Sequence, residues 1–146
     1  MLALFCDWRV MTEGDYKVGL NEVPVGLVLP PVILAGLRRL VGPRSAERLA
    51  VTGELISPAE ALRVGLVDEV VALDKVVERA VTWDERVLAL PAESMNLTRR
   101  DARADLRAIF EKDLGPELQW ITERWWSSST QATLRALVER LGKKVN

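Results

Sequence analysis

Glu22 is the residue of this sequence that stands out as a candidate for acid-base chemistry. It follows residues 16–20, an alternating segment behind the Gly14-Asp15 turn, and this pattern predicts a short strand. Functional side chains are often presented at the end of such a rigid element. The pattern by itself leaves a second interpretation open, in which Glu22 is a solvent-exposed loop carboxylate.

The residue composition restricts the other chemistry that the chain can perform. Cys6 is the single cysteine, so an internal disulfide is excluded, and the sequence contains no histidine. Zinc-finger spacings and histidine-based catalytic triads are therefore excluded as well. Any chemistry must use carboxylates, hydroxyls or backbone amides.

Length and charge describe one globular domain. The 146 residues are 49% hydrophobic and 28% charged, and Lys and Arg total 20 against 21 for Asp and Glu. The net charge of -1 gives no electrostatic reason to bind nucleic acid. Residues 23–37, the longest uncharged run, are fewer than the roughly 20 that a membrane span needs. With no secretory leader before Asp7, we expect a cytoplasmic protein without a membrane span or a nucleic-acid partner.

Hydrophobic periodicity predicts the helices nearest to Glu22. Residues 32–41 have apolar positions at helical spacing, and Gly42-Pro43 is predicted to end this helix. Ser45 is predicted to cap a second helix that continues to about Val51.

Ser57, Pro58 and Glu60 form the clearest local signal of the chain. Ser57 is predicted to cap a helix in which Pro58 is the first residue and Glu60 the third, so that the two side chains satisfy backbone amides reciprocally. Gly65 suits the left-handed turn that ends this helix, and residues 66–71 are predicted to form a strand.

From Asp74 onward the pattern predicts helices alone. The predicted helices are residues 74–90, residues 95–114, a segment after Gly115-Pro116 with Leu118, Ile121 and Trp125 on one face, and residues 130–141. Lys143 and Lys144 follow the last of them.

Three tryptophans, Trp120, Trp125 and Trp126, lie closer together than a single core-facing stripe of one helix requires. They predict either a protein interface or a peripheral helix packed on its own domain.

Several short motifs occur in a fixed order along the first half of the chain. They are CDWRVM at 6–11, GLNEVPVG at 19–26, VG at 41–42, AERL at 46–49, TG at 52–53, SPAEAL at 57–62 and VGLVDEVV at 64–71. In this order and spacing they resemble the middle of the crotonase, or enoyl-CoA hydratase/isomerase, superfamily. Residues 92–141 resemble the helical C-terminal region of that family in pattern more than in motif.

The resemblance implies a fold of the α/β class. The chain would be the C-terminal portion of a crotonase-type ββα spiral, mostly helical with a few short strands. Residues 1–72 would form the end of the core spiral, and residues 73–146 would form the helical region through which such proteins build trimers. A homotrimer or a dimer of trimers is therefore expected.

The resemblance also implies an activity and its residues. In this family the residue that matches Glu22 is a catalytic acid/base, and two backbone N–H groups stabilise the thioester enolate. Glu22 would take a proton from C2 of a 3-enoyl-CoA and return it at C4, giving the 2-trans-enoyl-CoA of fatty-acid β-oxidation. The substrate would be an acyl-CoA thioester, with no metal or redox cofactor. Arg99 matches a position that is often basic and would bind a phosphate of coenzyme A, with a solvent-exposed arginine as the alternative.

Two departures from the family pattern favour an isomerase over a hydratase. Hydratases carry a second glutamate where this chain has Met1, and a glycine-rich segment where it has residues 30–33. Adding water needs a pair of carboxylates, whereas one carboxylate can move a proton between two carbons. The sequences of residues 19–22 and 97–99 also look like those of the mitochondrial-type delta3,delta2-enoyl-CoA isomerases. A hydratase that uses Glu13 or Asp15 as its second acid remains the alternative.

The start of the chain bears on whether it is catalytic. Residues 1–6 are apolar without a polar cap, and family members carry a longer segment before Cys6 that includes both oxyanion amides. We therefore expect a fragment of the family domain, a misassigned start or a degenerate copy. A truncated, non-catalytic module that binds acyl-CoA or builds oligomers is a further hypothesis. The compartment would be the cytoplasm, or the mitochondrial matrix in a eukaryote.

Overall fold

Two short parallel strands lie among seven helices in the part of the chain that the structure, a computed structural model, describes, residues 1–142. The strands are β1 (Val10–Thr12) and β2 (Glu69–Val71). The helices are α1 (Pro31–Thr52), α2 (Pro58–Arg63), α3 (Val76–Leu88), α4 (Ala92–Ala102), α5 (Ala104–Phe110), α6 (Gly115–Trp125) and α7 (Ser128–Gly142). Short 3-10 turns cover Leu2–Phe5, Val23–Val25 and Leu73–Lys75. Lys143 and Lys144 lie outside the described residues.

The parallel pair joins distant parts of the sequence. In β1 and β2, Val10 lies opposite Glu69 and Thr12 opposite Val71. The predicted strand 66–71 is therefore too long at its start. The reason is that the amides of Leu66 and Val67 donate to the carbonyl of Ala61, at the end of α2, at 2.8 and 3.3 Å.

The predicted strand 16–20 reduces to one antiparallel bridge. Val18 and Ile56 exchange backbone hydrogen bonds of 3.0 and 2.9 Å. Gly19 lies so close to the next backbone that an added Cβ would be 2.5 Å from the carbonyl oxygen of Glu54. The remainder of residues 16–20 has no strand partner among residues 1–142, because the segment facing it turns directly into α2.

Helix α1 is interrupted where the sequence predicts a break. Gly42 has φ 74° and ψ 165°, which is outside helical geometry and is open to glycine alone. The second helical segment resumes directly at Pro43, so the prediction that Ser45 caps it is wrong. Proline suits this first position because its missing N–H would have no partner there.

Half of the predicted capping box forms at α2. The hydroxyl of Ser57 accepts a hydrogen bond from the amide of Glu60 at 3.3 Å. The carboxylate of Glu60 does not return this contact, because Arg63 holds it with two hydrogen bonds of 2.6 Å. An ion pair thus replaces the second capping bond.

The predicted helix 95–114 is divided into α4 and α5 at Arg103. Arg103 leaves helical geometry with φ -112° and ψ 18°. Its guanidinium donates to the carbonyl of Phe5 at 2.7 Å and pairs with Asp7 at 2.5 Å. This contact between the start of the chain and Arg103, nearly 100 residues later, has no local sequence signal. The Gly115-Pro116 pair begins α6, and α7 begins at Ser128 rather than at residue 130.

The core is centred on α1. Its buried hydrophobic residues are Leu4, Leu37, Val41, Ala46, Leu49, Ala50, Ile56, Ala61, Leu66 and Val67. Helix α5 packs on α1, and α3 packs on β1. Trp83 of α3 stacks on Trp8, which precedes β1, with ring centres 5.4 Å apart. Helix α7 packs on the Val23–Val25 turn. The division of the chain at residue 72 stays a prediction.

In residues 1–142, no helix combines the length and the apolar character that crossing a bilayer requires.

Candidate active site

Glu22 lies at the entry of a tight backbone turn rather than at the end of a strand. It has helical backbone angles and immediately precedes the Val23–Val25 turn, which Gly26 ends with φ 80° and ψ 14°. The carbonyl oxygen of Glu22 accepts hydrogen bonds from the amides of Val25 at 3.1 Å and Leu27 at 2.9 Å. The turn therefore closes on the backbone of Glu22 itself. We call residues 22–27 the Glu22 turn.

The carboxylate of Glu22 has a free oxygen in a sheltered position. The residue is half-buried, and its Oε2 is buried without a hydrogen-bond partner in residues 1–142. Buried polar atoms are nearly always paired, so each unpaired one needs an explanation. A carboxylate oxygen with an open lone pair can accept a proton, which is what a general base requires.

The end of α1 holds one side of the Glu22 turn. Gly53 ends α1 in the left-handed conformation, with φ 60° and ψ 27°. A Cβ at this position would collide with the ring of Pro24, lying 2.6 Å from its Cγ and closer still to its Cδ. Glycine is thus required both for the backbone angle and for the close approach of the turn.

The start of α7 holds the other side of the Glu22 turn. Thr130 is 5% exposed, and its hydroxyl donates to the carbonyl of Gly26 at 2.9 Å. The hydroxyl of Ser127 donates to Thr130 Oγ1 at 3.0 Å. An added Cβ on Gly26 would be 3.0 Å from the Cβ of Thr133, so α7 and the turn are in close contact.

Sequence reasoning did not identify Thr130 or Gly53 as parts of this site. In the sequence, Thr130 is the predicted first residue of a helix, and Gly53 is half of a motif that marks a turn. Their contacts with the Glu22 turn join residues far apart in the chain, which no local pattern reports.

The structure contains an apolar cavity of about 520 Å³, and no residue of the Glu22 turn lines it. Its wall includes Trp8, Met11, Val18, Leu20 and Leu37. Met1, which the family resemblance matches to the second glutamate of hydratases, also lines this cavity. Volume and lining are those of a pocket for an apolar ligand.

Arg99 lies on α4 and is paired with Asp7. Its Nε and Nη2 approach one oxygen of Asp7 at 2.9 and 2.7 Å, while Arg103 approaches the other at 2.5 Å. The side chain of Arg99 remains 48% exposed, so a second anion has access to it. Binding of coenzyme A by Arg99 stays a prediction, and the structure shows no contact between Arg99 and Glu22.

The two arginines change the acidity of Asp7. Partial burial raises the pKa of Asp7, but the hydrogen bond from Arg99 and the charges of Arg103 and Arg99 outweigh this effect. The pKa of Asp7 therefore lies below its usual value. The same hydrogen bond raises the pKa of Arg99.

Within the described range 1–142, no three side chains of the types Cys, Asp and Glu are grouped so that they could hold a metal ion. The expectation of no metal or cofactor came from the family resemblance and stays an expectation.

With the fold and the Glu22 turn in place, comparison with known proteins defines the class. The profile of the enoyl-CoA hydratase/isomerase family matches residues 1–144, and the chain belongs to this family. The chain superposes on the crystal structure of human mitochondrial delta3-delta2-enoyl-CoA isomerase with a TM-score of 0.90 at 30% identity, covering 98% of this chain and 56% of that one. These findings confirm the predicted family and the α/β crotonase-type fold.

Some of the similar proteins are named isomerases and others hydratases. The mitochondrial enoyl-CoA delta isomerase 1 of Mus musculus is 38% identical over 145 residues, which are 99% of this chain and 50% of the relative. A probable enoyl-CoA hydratase of Mycobacterium avium is 39% identical over 111 residues, which are 75% of this chain and 41% of the relative. The chain thus spans about half the length of the curated relatives that it matches.

Proposed function

We propose that the protein isomerises a 3-enoyl-CoA to the 2-trans-enoyl-CoA, with Glu22 as the base that moves the proton. One observation carries the proposal: Oε2 of Glu22 is sheltered from solvent and has no hydrogen-bond partner in residues 1–142. The family of the chain and its similarity to enoyl-CoA delta isomerases support the choice of substrate.

The proposed reaction is a proton transfer within one substrate. The carboxylate of Glu22 removes a proton from C2, and the electron pair of that C–H bond is shared by C2, C4 and the thioester carbonyl oxygen. The protonated Glu22 then returns the proton to C4, so that the double bond moves from C3–C4 to C2–C3. No atom is gained or lost and the carboxylate is regenerated, so the proposal needs no redox cofactor.

The thioester oxygen acquires negative charge during this transfer and needs hydrogen-bond donors. By the family resemblance, the donors are two backbone amides that precede Cys6 in the family pattern. The proposal therefore places the base, Glu22, within the described residues 1–142. It names none of those residues as a donor to the thioester oxygen.

Hydration of a 2-enoyl-CoA is the alternative activity. The similarity to a probable enoyl-CoA hydratase supports it. A hydratase needs a second carboxylate to orient and deprotonate water, and the matching position is the apolar Met1, which is 57% exposed. We therefore favour the isomerase.

We also propose a homotrimer or a dimer of trimers that uses the outer face of α6. Within the described chain, α6 has no buried residue, and Leu118, Trp125 and Trp126 are exposed. Large apolar and aromatic side chains grouped in this way are typical of protein interfaces. The proposed compartment is the cytoplasm, or the mitochondrial matrix in a eukaryote.

An assay of the purified protein with a 3-enoyl-CoA and a 2-enoyl-CoA side by side tests the proposed activity. We expect isomerisation, and we expect Glu22→Gln to lower kcat roughly 100-fold or more because the amide cannot accept the proton. Glu85→Gln is the matched control, since Glu85 is an exposed glutamate on α3. Hydration without isomerisation would favour the alternative activity.

Absence of both reactions would contradict a catalytic role for this chain. A binding measurement with a saturated acyl-CoA would then distinguish a binding module from a chain that has lost the ligand altogether. Equal activity of Glu22→Gln and Glu85→Gln would show that Glu22 is not the base.

A further inference from the structure

The contact between Thr130 and Gly26 suggests a second residue that governs the site. We propose that Thr130 is a positioning residue for Glu22, acting through the backbone of the Glu22 turn. This inference rests on the proposed function, in which Glu22 is the base.

A continuous set of hydrogen bonds leads from Thr130 to Glu22. The Thr130 hydroxyl donates to the carbonyl of Gly26 at 2.9 Å, and this carbonyl belongs to the peptide group whose N–H is that of Leu27. The N–H of Leu27 in turn donates to the carbonyl of Glu22 at 2.9 Å. Because a peptide group is planar and rigid, holding its oxygen also fixes its N–H, and with it the backbone of Glu22.

The hydroxyl of Thr130 is used differently from other helical threonines in this chain. Thr82 and Thr122 each donate to the carbonyl four residues earlier in their own helix, at 2.8 Å. Thr130 lies in the first turn of α7 and donates to a carbonyl 104 residues away. Its contact therefore bears on the position of another segment rather than on its own helix.

Burial makes the geometry of this hydrogen bond strict. Thr130 is 5% exposed, so water cannot readily replace the hydroxyl as the partner of Gly26. The hydroxyl of Ser127 donates to Thr130 Oγ1 at 3.0 Å, which leaves the proton of Thr130 free for Gly26. The pair of hydroxyls thus directs one donor at the Glu22 turn.

Positioning has a kinetic signature that general packing lacks. A general base works only when its oxygen is within hydrogen-bond reach of the proton, so a shift of about 1 Å can lower the rate by roughly 100-fold. Substrate binding depends on many other contacts. A looser Glu22 turn should therefore lower kcat while KM stays nearly constant.

Thr130→Val and Thr130→Ser in the purified protein test the proposal, with Thr82→Val as the matched control. Valine keeps the shape of threonine and removes the hydroxyl, whereas serine keeps the hydroxyl. We expect Thr130→Val to lower kcat roughly 10-fold or more with KM within about 2-fold, and Thr130→Ser to restore most of kcat. Thr82→Val should match the unmodified protein.

Amide hydrogen exchange of Val25 and Leu27 provides a readout that needs no turnover. Both amides donate to the carbonyl of Glu22, so their protection reports the order of the Glu22 turn. We expect Thr130→Val to lower this protection roughly 10-fold and Thr130→Ser to retain it. Unchanged protection in Thr130→Val would overturn the proposal, and so would equal loss of kcat in the valine and serine variants.

The two proposals fail in different ways. Glu22→Gln with full activity contradicts the role of Glu22 as base, whatever Thr130 does. Normal kcat and normal protection in Thr130→Val, together with an inactive Glu22→Gln, contradict the role of Thr130 alone.

Discussion

The side-chain hydroxyl of Thr130 lies 2.9 Å from the carbonyl oxygen of Gly26 and joins residues 104 positions apart. Through this contact the last described helix, α7, is attached to the turn that carries Glu22. On the opposite side, Gly53 at the end of α1 packs against Pro24 of the same turn. The candidate base is thus held between an early and a late helix of the chain.

Gly53→Ala tests how tightly α1 holds the Glu22 turn. We expect the free energy of unfolding to fall by about 2–4 kcal/mol, because alanine at φ 60° is strained and its Cβ collides with Pro24. Denaturant unfolding measures this change. Gly142→Ala is the control, since an added Cβ there has no neighbour within 4 Å. A loss below about 1 kcal/mol in Gly53→Ala would contradict the close packing.

Asp7→Asn tests the pH dependence of stability. The pKa of Asp7 is lowered in the folded state, so the ionised form adds stability above its usual value of 3.8. This stability is lost as the pH falls below 3.8 and through the lowered pKa. At pH 7 we expect Asp7→Asn to reduce the free energy of unfolding by roughly 1 kcal/mol, and the difference from the unmodified protein to shrink in acid.

Urea unfolding at a series of pH values between about 2 and 7 measures the effect of Asp7→Asn. Asp84→Asn on α3 is the matched control, because Asp84 has an exposed carboxylate. A difference from the unmodified protein that stays constant down to the lowest pH would contradict the role of the ionised carboxylate.

Arg99→Gln tests whether α4 binds the substrate. If Arg99 binds a phosphate of coenzyme A, its loss should raise KM roughly 10-fold or more with little change in kcat. Arg100→Gln is the control, since Arg100 pairs with the neighbouring Asp101 on the surface. Asp7→Asn separates the two roles of Arg99, because it removes the partner and leaves the guanidinium available. An unchanged KM in Arg99→Gln, or an equal rise of KM in Asp7→Asn and Arg99→Gln, would rule against phosphate binding by Arg99.

Trp126→Ala tests the proposed interface on α6, because Trp126 directly follows the last residue of this helix. Trp126 is 69% exposed, so its removal should leave the fold of the chain intact. In a trimer that buries this side chain, we expect association to weaken roughly 30-fold, because buried aromatic anchors dominate interface energies. Sedimentation over a concentration series measures this change. Leu88→Ala on α3, where Leu88 is 68% exposed, is the control. Identical sedimentation of both variants would place the interface elsewhere.

Local signals in the sequence predicted several elements correctly. Ser57 caps α2 through the amide of Glu60, and Gly42 interrupts α1 just before Pro43. Such features depend on backbone angles and on contacts within a few residues, so the residue types are sufficient to predict them. The family was also predicted from short motifs, and the comparisons confirm it.

Predictions failed where a distant segment determines the outcome. Arg103 divides the expected helix 95–114 because its guanidinium binds the carbonyl of Phe5 and the carboxylate of Asp7. Only Val18 of residues 16–20 is paired, since its partner Ile56 lies in a short loop before α2. These pairings lie nearly 100 and nearly 40 residues apart in the sequence, beyond the reach of periodicity or capping patterns.

The same distinction applies to the candidate site. The sequence by itself determined the family, the helical character of the second half and the choice of Glu22 as the candidate base. Only the tertiary structure decided that Oε2 of Glu22 is buried without a partner, and that Gly53 and Thr130 hold its turn. The physical reason is that burial and long-range hydrogen bonds depend on which segments pack together, whereas local patterns report the residues of one segment at a time.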